Sequence, residues 1–201
     1  MGMIAVFGGT FNPIHQGHID MLNCLCDLDF IDKVILIPTK IPPHKTVSYL
    51  ANEEDRLEMC RLASCGKEKV IISNIELARE GKSYTVDTVL SLKKQYPNNK
   101  IAITVGADML VTFDKWKDYL TILNNATIIT FFRNDTEREL YICWVDKLKS
   151  LGAELIVIDM DVADVSSTLV RDKIACGESV EGLISDEVYG YIKQKGLYGE
   201  M

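Results

Sequence analysis

Short runs of aliphatic and β-branched residues recur along the chain, separated by longer stretches of mixed polarity. The runs occupy residues 3–7, 33–37, 70–73, 100–105, 126–131 and 154–158. Each run is nearly continuous in Val, Ile and Leu and does not alternate with polar positions. This pattern is typical of parallel strands buried on both faces of a sheet. The sequence therefore predicts a strand at each run.

Three of the intervening stretches, at residues 17–28, 53–64 and 84–95, carry apolar residues at helical spacing. Such spacing predicts amphipathic helices that each bury one face. The positions predicted to face the core are Ile19, Leu22, Leu25, Cys26, Leu57, Cys60, Leu62, Val86, Val89 and Leu90.

Two further helices are predicted near the end of the chain. Ser166 and Ser167 form a capped start for a stretch that ends at Gly177, and Ser185 begins a last helix through Lys195. The alternation of strand and helix predicts an α/β fold with a doubly wound, mostly parallel sheet and a small C-terminal helical part. In such sheets, ligands bind at the carboxyl ends of the strands.

Composition narrows the class of protein. The chain has 201 residues, of which 47% are hydrophobic and 25% charged, as expected for one folded domain spanning 1–201. The net charge of -7 argues against a sequence-independent grip on nucleic acid, which depends on Lys and Arg. A small anionic ligand remains possible, because a few cations and backbone amides can form a local positive pocket.

The sequence also bears on location. No run reaches the about eighteen apolar residues that a membrane span needs, and residues 1–7 lack the flanks of a signal peptide. The six cysteines are scattered along the chain, which favours reduced thiols over disulfides. We therefore expect a cytoplasmic protein without a membrane partner, and the sequence does not indicate its oligomeric state.

The first group of residues that could carry chemistry is the segment from Gly8 to His18, which follows the first predicted strand and opens the first helix. Paired glycines let a backbone approach a ligand, and a helix start offers unpaired amides to phosphate. His15 and His18 are three residues apart, so they can face one side and donate hydrogen bonds to phosphate.

Other interpretations of this segment remain open. A glycine pair after a strand is often a plain turn. Two histidines three apart also form half of a zinc site, although the distant His44 and unclustered cysteines supply the other ligands poorly. The segment lacks the G-x-G-x-x-G spacing, which disfavours a dehydrogenase.

The second group is Ser166 to Arg171, at the start of the penultimate helix. Hydroxyls and free amides at a helix start suit a polyphosphate, and Arg171, one turn further on, can reach the same ligand. The alternative is an ordinary serine cap beside a solvated arginine.

Together these segments resemble a known superfamily. The glycine-rich turn running into His15-x-Gly17-His18, with Ser166-x-Thr168-x-x-Arg171, is similar to the two motifs of the nucleotidyltransferases related to class I aminoacyl-tRNA synthetases. This resemblance implies a Rossmann-like nucleotidyltransferase fold.

Further segments resemble one branch of the superfamily, the bacterial nicotinate-nucleotide adenylyltransferases, over essentially the whole chain. They are residues 41–45, 83–88 and 106–108, followed by Trp116 and Arg133. Asn12 departs from the pattern, because many bacterial members carry Asp there. The choice between an acid and an amide acceptor therefore stays open at this point.

The resemblance implies an adenylyl transfer from ATP to nicotinate mononucleotide that releases pyrophosphate. The catalytic residues that it implies are His15, His18, Lys45 and Arg171. The substrate-binding residues that it implies are Gly8, Gly9, Thr10, Phe11, His44, Tyr84, Thr85, Thr88, Gly106, Asp108, Trp116, Arg133, Ser167 and Thr168.

Within this set, the histidines, Lys45 and Arg171 would hold the ATP phosphates. Asp108 would contact ribose, and Trp116 would stack on the pyridine ring. Mg²⁺ would bridge the phosphate oxygens without dedicated protein ligands. Three rival interpretations remain. They are transfer to nicotinamide mononucleotide or another small phosphorylated acceptor, a non-catalytic nucleotide sensor, and a zinc-dependent module.

Overall fold

A computed structural model describes residues 2–40, 49–161 and 163–199. Six strands form one sheet, and all of their pairings are parallel. The strands are β1 (Met3–Gly9), β2 (Ile31–Pro38), β3 (Val70–Ile72), β4 (Lys100–Thr104), β5 (Thr127–Phe132) and β6 (Leu155–Asp159). Each overlaps a predicted run, so the structure confirms the prediction of a doubly wound α/β fold.

The strand order is β3-β2-β1-β4-β5-β6. The chain therefore builds outward from β1 in one direction and then from β4 in the other. Val6 of β1 pairs with Ile103 of β4, and β1 continues beside β2 as far as Gly9, which pairs with Pro38. Beyond these residues the connections on the two sides turn to opposite faces. That divergence leaves a crevice at the carboxyl ends of β1 and β4.

Eight α-helices and one 3-10 turn, Phe113–Lys115, are assigned in the described parts of the chain. The helices are α1 (Gln16–Asp27), α2 (Glu53–Ala63), α3 (Thr85–Gln95), α4 (Ala107–Leu110), α5 (Tyr119–Asn125), α6 (Asp135–Ser150), α7 (Ser167–Ala175) and α8 (Asp186–Lys195). The predicted helices agree with α1, α2, α3, α7 and α8. Ser166 caps α7 and Ser185 caps α8, as predicted, by accepting from the amides of Leu169 and Val188.

Alternate residues of β1 enter two cores, one on each face of the sheet. Ala5 and Phe7 pack with α1, α2, α7 and α8, whereas Ile4 and Val6 pack with α3, α4, α5 and α6. Two predicted core positions are wrong. Leu90 of α3 is 38% exposed. On α2, Arg56 is fully buried together with Met59 and Cys60, whereas Leu57 is only partly buried.

All six cysteines are free thiols. Among the described residues, no helix combines the length and the apolar character that crossing a membrane would require.

Candidate active site

A cavity of about 240 Å³ lies at the carboxyl ends of β1, β2 and β4, against the first turn of α3. Predicted site residues form much of its wall: Gly8, Gly9, Thr10, Tyr84, Thr85, Thr88, Gly106 and Trp116. Thr39, Glu76 and Lys117 also line it. These residues come from six separate segments of the chain, and the strand order brings them together.

The turn after β1 requires its glycine. A Cβ on Gly9 would lie 2.8 Å from the ring of Phe11, too close for any side chain there. Phe11 itself has a left-handed backbone, with φ of 47°, and only 1% of it is exposed. Its ring packs edge-on against His18, with ring centroids 5.0 Å apart. Phe11 was predicted to line the crevice, but it lies beneath His18 and supports that ring.

His15 and His18 lie side by side at the start of α1. Their ring centroids are 3.6 Å apart, and the backbone amide of His15 donates to Nδ1 of His18 at 3.2 Å. Since Nδ1 of His18 accepts, a neutral His18 carries its proton on Nε2, which is then a hydrogen-bond donor. Burial lowers the pKa of His15 to about 4, and the charge of Asp20 acts in the opposite direction. His15 is therefore neutral at pH 7 in the ligand-free protein.

The start of α7 lies against the loop that leads into α1. The hydroxyl of Ser167 donates to the carbonyl of Pro13 at 2.9 Å, and Nη1 of Arg171 donates to the carbonyl of Asn12 at 2.8 Å. Nη2 of Arg171 donates to Oγ1 of Thr168 at 3.2 Å. The two predicted phosphate-binding helix starts, near opposite ends of the sequence, therefore lie together.

Asn12 is the centre of a buried network beneath these helix starts. It is 2% exposed, its Nδ2 donates to the carbonyl of Tyr49, and its Oδ1 accepts from the amide of Ala51 and the hydroxyl of Tyr198. The network uses the amide as donor and acceptor at once, which a carboxylate cannot do. Asn12 does not line the cavity. Its departure from the family pattern is therefore linked to packing of the loop and the C-terminal segment.

Arg56 is a structural residue that the sequence analysis missed. It is 0% exposed, and it donates to the carbonyls of Thr10 at 2.8 Å, Thr39 at 2.7 Å and Ala51 at 3.1 Å. Burial lowers its pKa from the ordinary value. A signal was present, because Arg56 shares a helical face with Met59 and Cys60. The guanidinium ties the end of β1 to the end of β2.

We expect Arg56→Met to lower the free energy of unfolding by about 3 kcal/mol, since buried carbonyls would lose their donor. Urea denaturation measures the change. Arg61→Met is the matched control on the same helix, because the Arg61 side chain is 57% exposed and, within the described residues, pairs with Glu58. That control should stay within about 0.5 kcal/mol of the wild type. Equal losses in the two variants would contradict the role given to Arg56.

The remaining predicted residues differ in position. Trp116 lines the cavity and packs against Phe113, with ring centroids 4.8 Å apart. Asp108 is exposed, and its carboxylate lies so close to Gly106 that a Cβ there would be 2.7 Å from Oδ1. Arg133 is exposed beyond β5, pairs with Glu137 at 3.0 Å and does not line the cavity.

His44 and Lys45 lie outside the described residues. Within the part of the chain that the structure describes, no group of three or more His, Cys, Asp or Glu side chains is placed to hold a metal ion.

The chain is similar in sequence to known proteins. Residues 6–173 match the family model described as cytidylyltransferase-like. A Clostridium tetani protein named probable nicotinate-nucleotide adenylyltransferase is 34% identical over 195 residues, covering 96% of this chain and 98% of its own. A Bacillus licheniformis protein of the same name is 37% identical over 199 residues, covering 98% and 99%.

Solved structures are similar in fold. The Plasmodium falciparum nicotinic acid mononucleotide adenylyltransferase complexed with NaAD matches with a TM-score of 0.77 at 17% identity, covering 98% of each chain. The same enzyme complexed with APC gives a TM-score of 0.76 at 16% identity, again covering 98% of each chain. At these identities the likeness shows the fold alone.

Proposed function

Because the chain belongs to the cytidylyltransferase-like family and, within it, to the nicotinate-nucleotide adenylyltransferases, we propose that it joins ATP and nicotinate mononucleotide. The products are nicotinate adenine dinucleotide, an intermediate of NAD biosynthesis, and pyrophosphate. The observation that carries the proposal is the hydrogen bond of Arg171 to the loop that leads into His15 and His18. It places two phosphate-binding helix starts side by side, next to a cavity of about 240 Å³.

The chemistry suits a site without a nucleophilic side chain. The phosphate of the mononucleotide is already an anion at neutral pH, and one of its oxygens forms the new bond to the α-phosphorus of ATP. The bond from that phosphorus to the bridging oxygen breaks, and its electron pair leaves with pyrophosphate. Positioning and stabilisation of the developing charge supply the acceleration.

The phosphate-facing residues divide this work. His18 donates through Nε2 to the phosphate that reacts, and His15 lies against its ring. An anion beside these rings would raise the pKa of His15 from its low ligand-free value. Arg171 and Thr168, held together at the start of α7, receive the β and γ phosphates. Lys45 and His44, outside the described residues, would add positive charge.

The cavity receives the acceptor. Trp116 offers a flat aromatic surface to the pyridine ring, and the first turn of α3 at Thr85 offers amides to a carboxylate. Lys117, with its ammonium 4.3 Å from the centre of the Tyr84 ring, adds positive charge at this wall. Gly106 and Asp108, just beyond β4, would contact a ribose. Arg133 would act only if its pairing with Glu137 were exchanged for a phosphate.

Mg²⁺ fits this arrangement as a partner of the substrate. Mg²⁺ binds largely through substrate phosphates and keeps several waters. When bound, the ion would neutralise charge on the phosphate oxygens. We place the reaction in the cytoplasm, as expected from the sequence.

The experiment that tests the proposal is a steady-state assay of pyrophosphate release. We expect turnover with ATP, Mg²⁺ and nicotinate mononucleotide, and kcat/KM at least about tenfold lower with nicotinamide mononucleotide, which lacks the charge that the start of α3 attracts. A preference for the amide would identify the other pyridine acceptor. Binding of ATP without release of pyrophosphate for any acceptor would indicate a nucleotide sensor and contradict the proposal.

A further inference from the structure

A buried carboxylate forms part of the cavity wall. Glu76 lies in the connection between β3 and α3, is 8% exposed and lines the cavity. Burial raises its pKa above the ordinary value, while hydrogen bonds from Thr88 and Ser83 and the charge of Arg79 act in the opposite direction. Glu76 takes no part in the adenylyl transfer itself, yet it lies in the wall of the cavity that is proposed to receive the acceptor.

The contacts of Glu76 join three parts of the wall. Its Oε1 accepts from the hydroxyl of Thr88, in α3, at 2.8 Å. The hydroxyls of Ser83, just before α3, and of Thr39, just after β2, lie near enough to the carboxylate to lower its pKa, against the effect of burial. One side chain therefore fixes the start of α3 relative to the end of β2.

These contacts also decide which way the hydroxyls point. Oγ1 of Thr88 accepts from Nη1 of Arg79 at 2.8 Å, and Oγ of Ser83 accepts from the amide of Lys40 at 3.3 Å. A hydroxyl has one proton to donate, and in Thr88 that proton goes to Oε1 of Glu76. The hydroxyl of Thr88, a residue that the resemblance implies to be substrate-binding, is therefore already used. The backbone amides at the start of α3 are the donors that this helix still offers.

We propose that Glu76 is the positioning residue of the acceptor subsite, holding the start of α3 so that its first-turn amides meet the carboxylate of the acceptor. This inference rests on the proposed function. The negative charge of Glu76 repels a second carboxylate, which directs the acceptor's own carboxylate toward the amides and Lys117. Glu76 thus sets the orientation of the ring, and the preference for an acid comes from the amides that it holds in place.

Glu76→Gln tests the inference, because it keeps the shape of the side chain but loses one acceptor and the charge. We expect the KM for nicotinate mononucleotide to rise about tenfold, the effect of one well-placed hydrogen-bonding contact. The KM for ATP and kcat should change less than about twofold, and the preference for nicotinate over nicotinamide mononucleotide should fall. Steady-state kinetics with each acceptor provides these values.

Two further variants sharpen the test. Thr88→Val removes the hydroxyl at nearly constant shape and should raise the same KM, and the double variant should be little worse than either single variant, since both changes break one contact. Glu80→Gln is the control, because Glu80 is exposed in the same connection and its substitution removes the same charge. It should leave all kinetic constants unchanged.

Several outcomes would overturn the inference. One is an unchanged KM for nicotinate mononucleotide in a folded Glu76→Gln protein. Another is a parallel rise in the KM values for both substrates together with a lower melting temperature, because that result indicates a purely structural residue. A stronger preference for the acid would show that Glu76 acts by repulsion alone. If the wild type released no pyrophosphate with either mononucleotide, the proposed function would fail, and this inference with it.

Discussion

Replacing His18 with alanine is expected to lower kcat about 100- to 1,000-fold, equivalent to roughly 3 to 4 kcal/mol of transition-state stabilisation. The reason is that Nδ1 of His18 accepts from the amide of His15, so that Nε2 is the nitrogen expected to donate to the reacting phosphate. The side chain is only partly buried, so the fold should persist. Pyrophosphate release measures kcat, and circular dichroism checks the fold.

Two substitutions that introduce an amide side chain distinguish the roles of the two ring nitrogens of His18. Asparagine can replace Nδ1 as acceptor for the His15 amide, whereas glutamine carries its amide nitrogen out to about the distance of Nε2. We therefore expect His18→Gln to retain more activity than His18→Asn. Full activity in a folded His18→Ala protein would remove the phosphate-binding role altogether.

The fold could be predicted because the strands are buried on both faces and so read as continuous aliphatic runs. The errors arose where polar residues face inward. Arg56 occupies a fully buried position of α2, with hydrogen bonds to carbonyls that come from loops elsewhere in the chain. Helix α6 was not predicted, since it buries only Val145 and Leu148 among sixteen residues and carries little apolar periodicity.

Much of the site could also be predicted, since a helix start with glycines, histidines or hydroxyls has a local sequence pattern. What could not be predicted were pairings across the chain. The hydroxyl of Tyr198 bonds to Asn12 although 186 positions separate the two residues. The role proposed for Glu76 depends on its contacts with Thr39, Ser83 and Thr88. A carboxylate in a loop carries no local pattern that separates it from an exposed one, as the neighbouring Glu80 shows.

Arg171→Ala is expected to reduce kcat/KM for ATP on the order of 100- to 1,000-fold, because a charged donor at the leaving phosphates is lost. A guanidinium has five N–H groups. Two of them hold Arg171 in place, on the carbonyl of Asn12 and the hydroxyl of Thr168, which leaves three for phosphate oxygens. Arg171→Lys should recover little, since an ammonium carries its three N–H groups on one nitrogen and lacks the planar fork that spans the internal contacts and the phosphate.

Product inhibition by pyrophosphate distinguishes phosphate binding by Arg171 from a purely structural role. If Arg171 binds the leaving group, inhibition by pyrophosphate should weaken with the loss of kcat/KM, while the KM for nicotinate mononucleotide stays nearly constant. Lys173→Ala is the control, because Lys173 is on the same helix and pairs with Glu178. It should leave inhibition unchanged. If Arg171→Ala lowered the melting temperature but inhibition by pyrophosphate stayed at the wild-type level, Arg171 would serve only to hold α7 against the Asn12 loop.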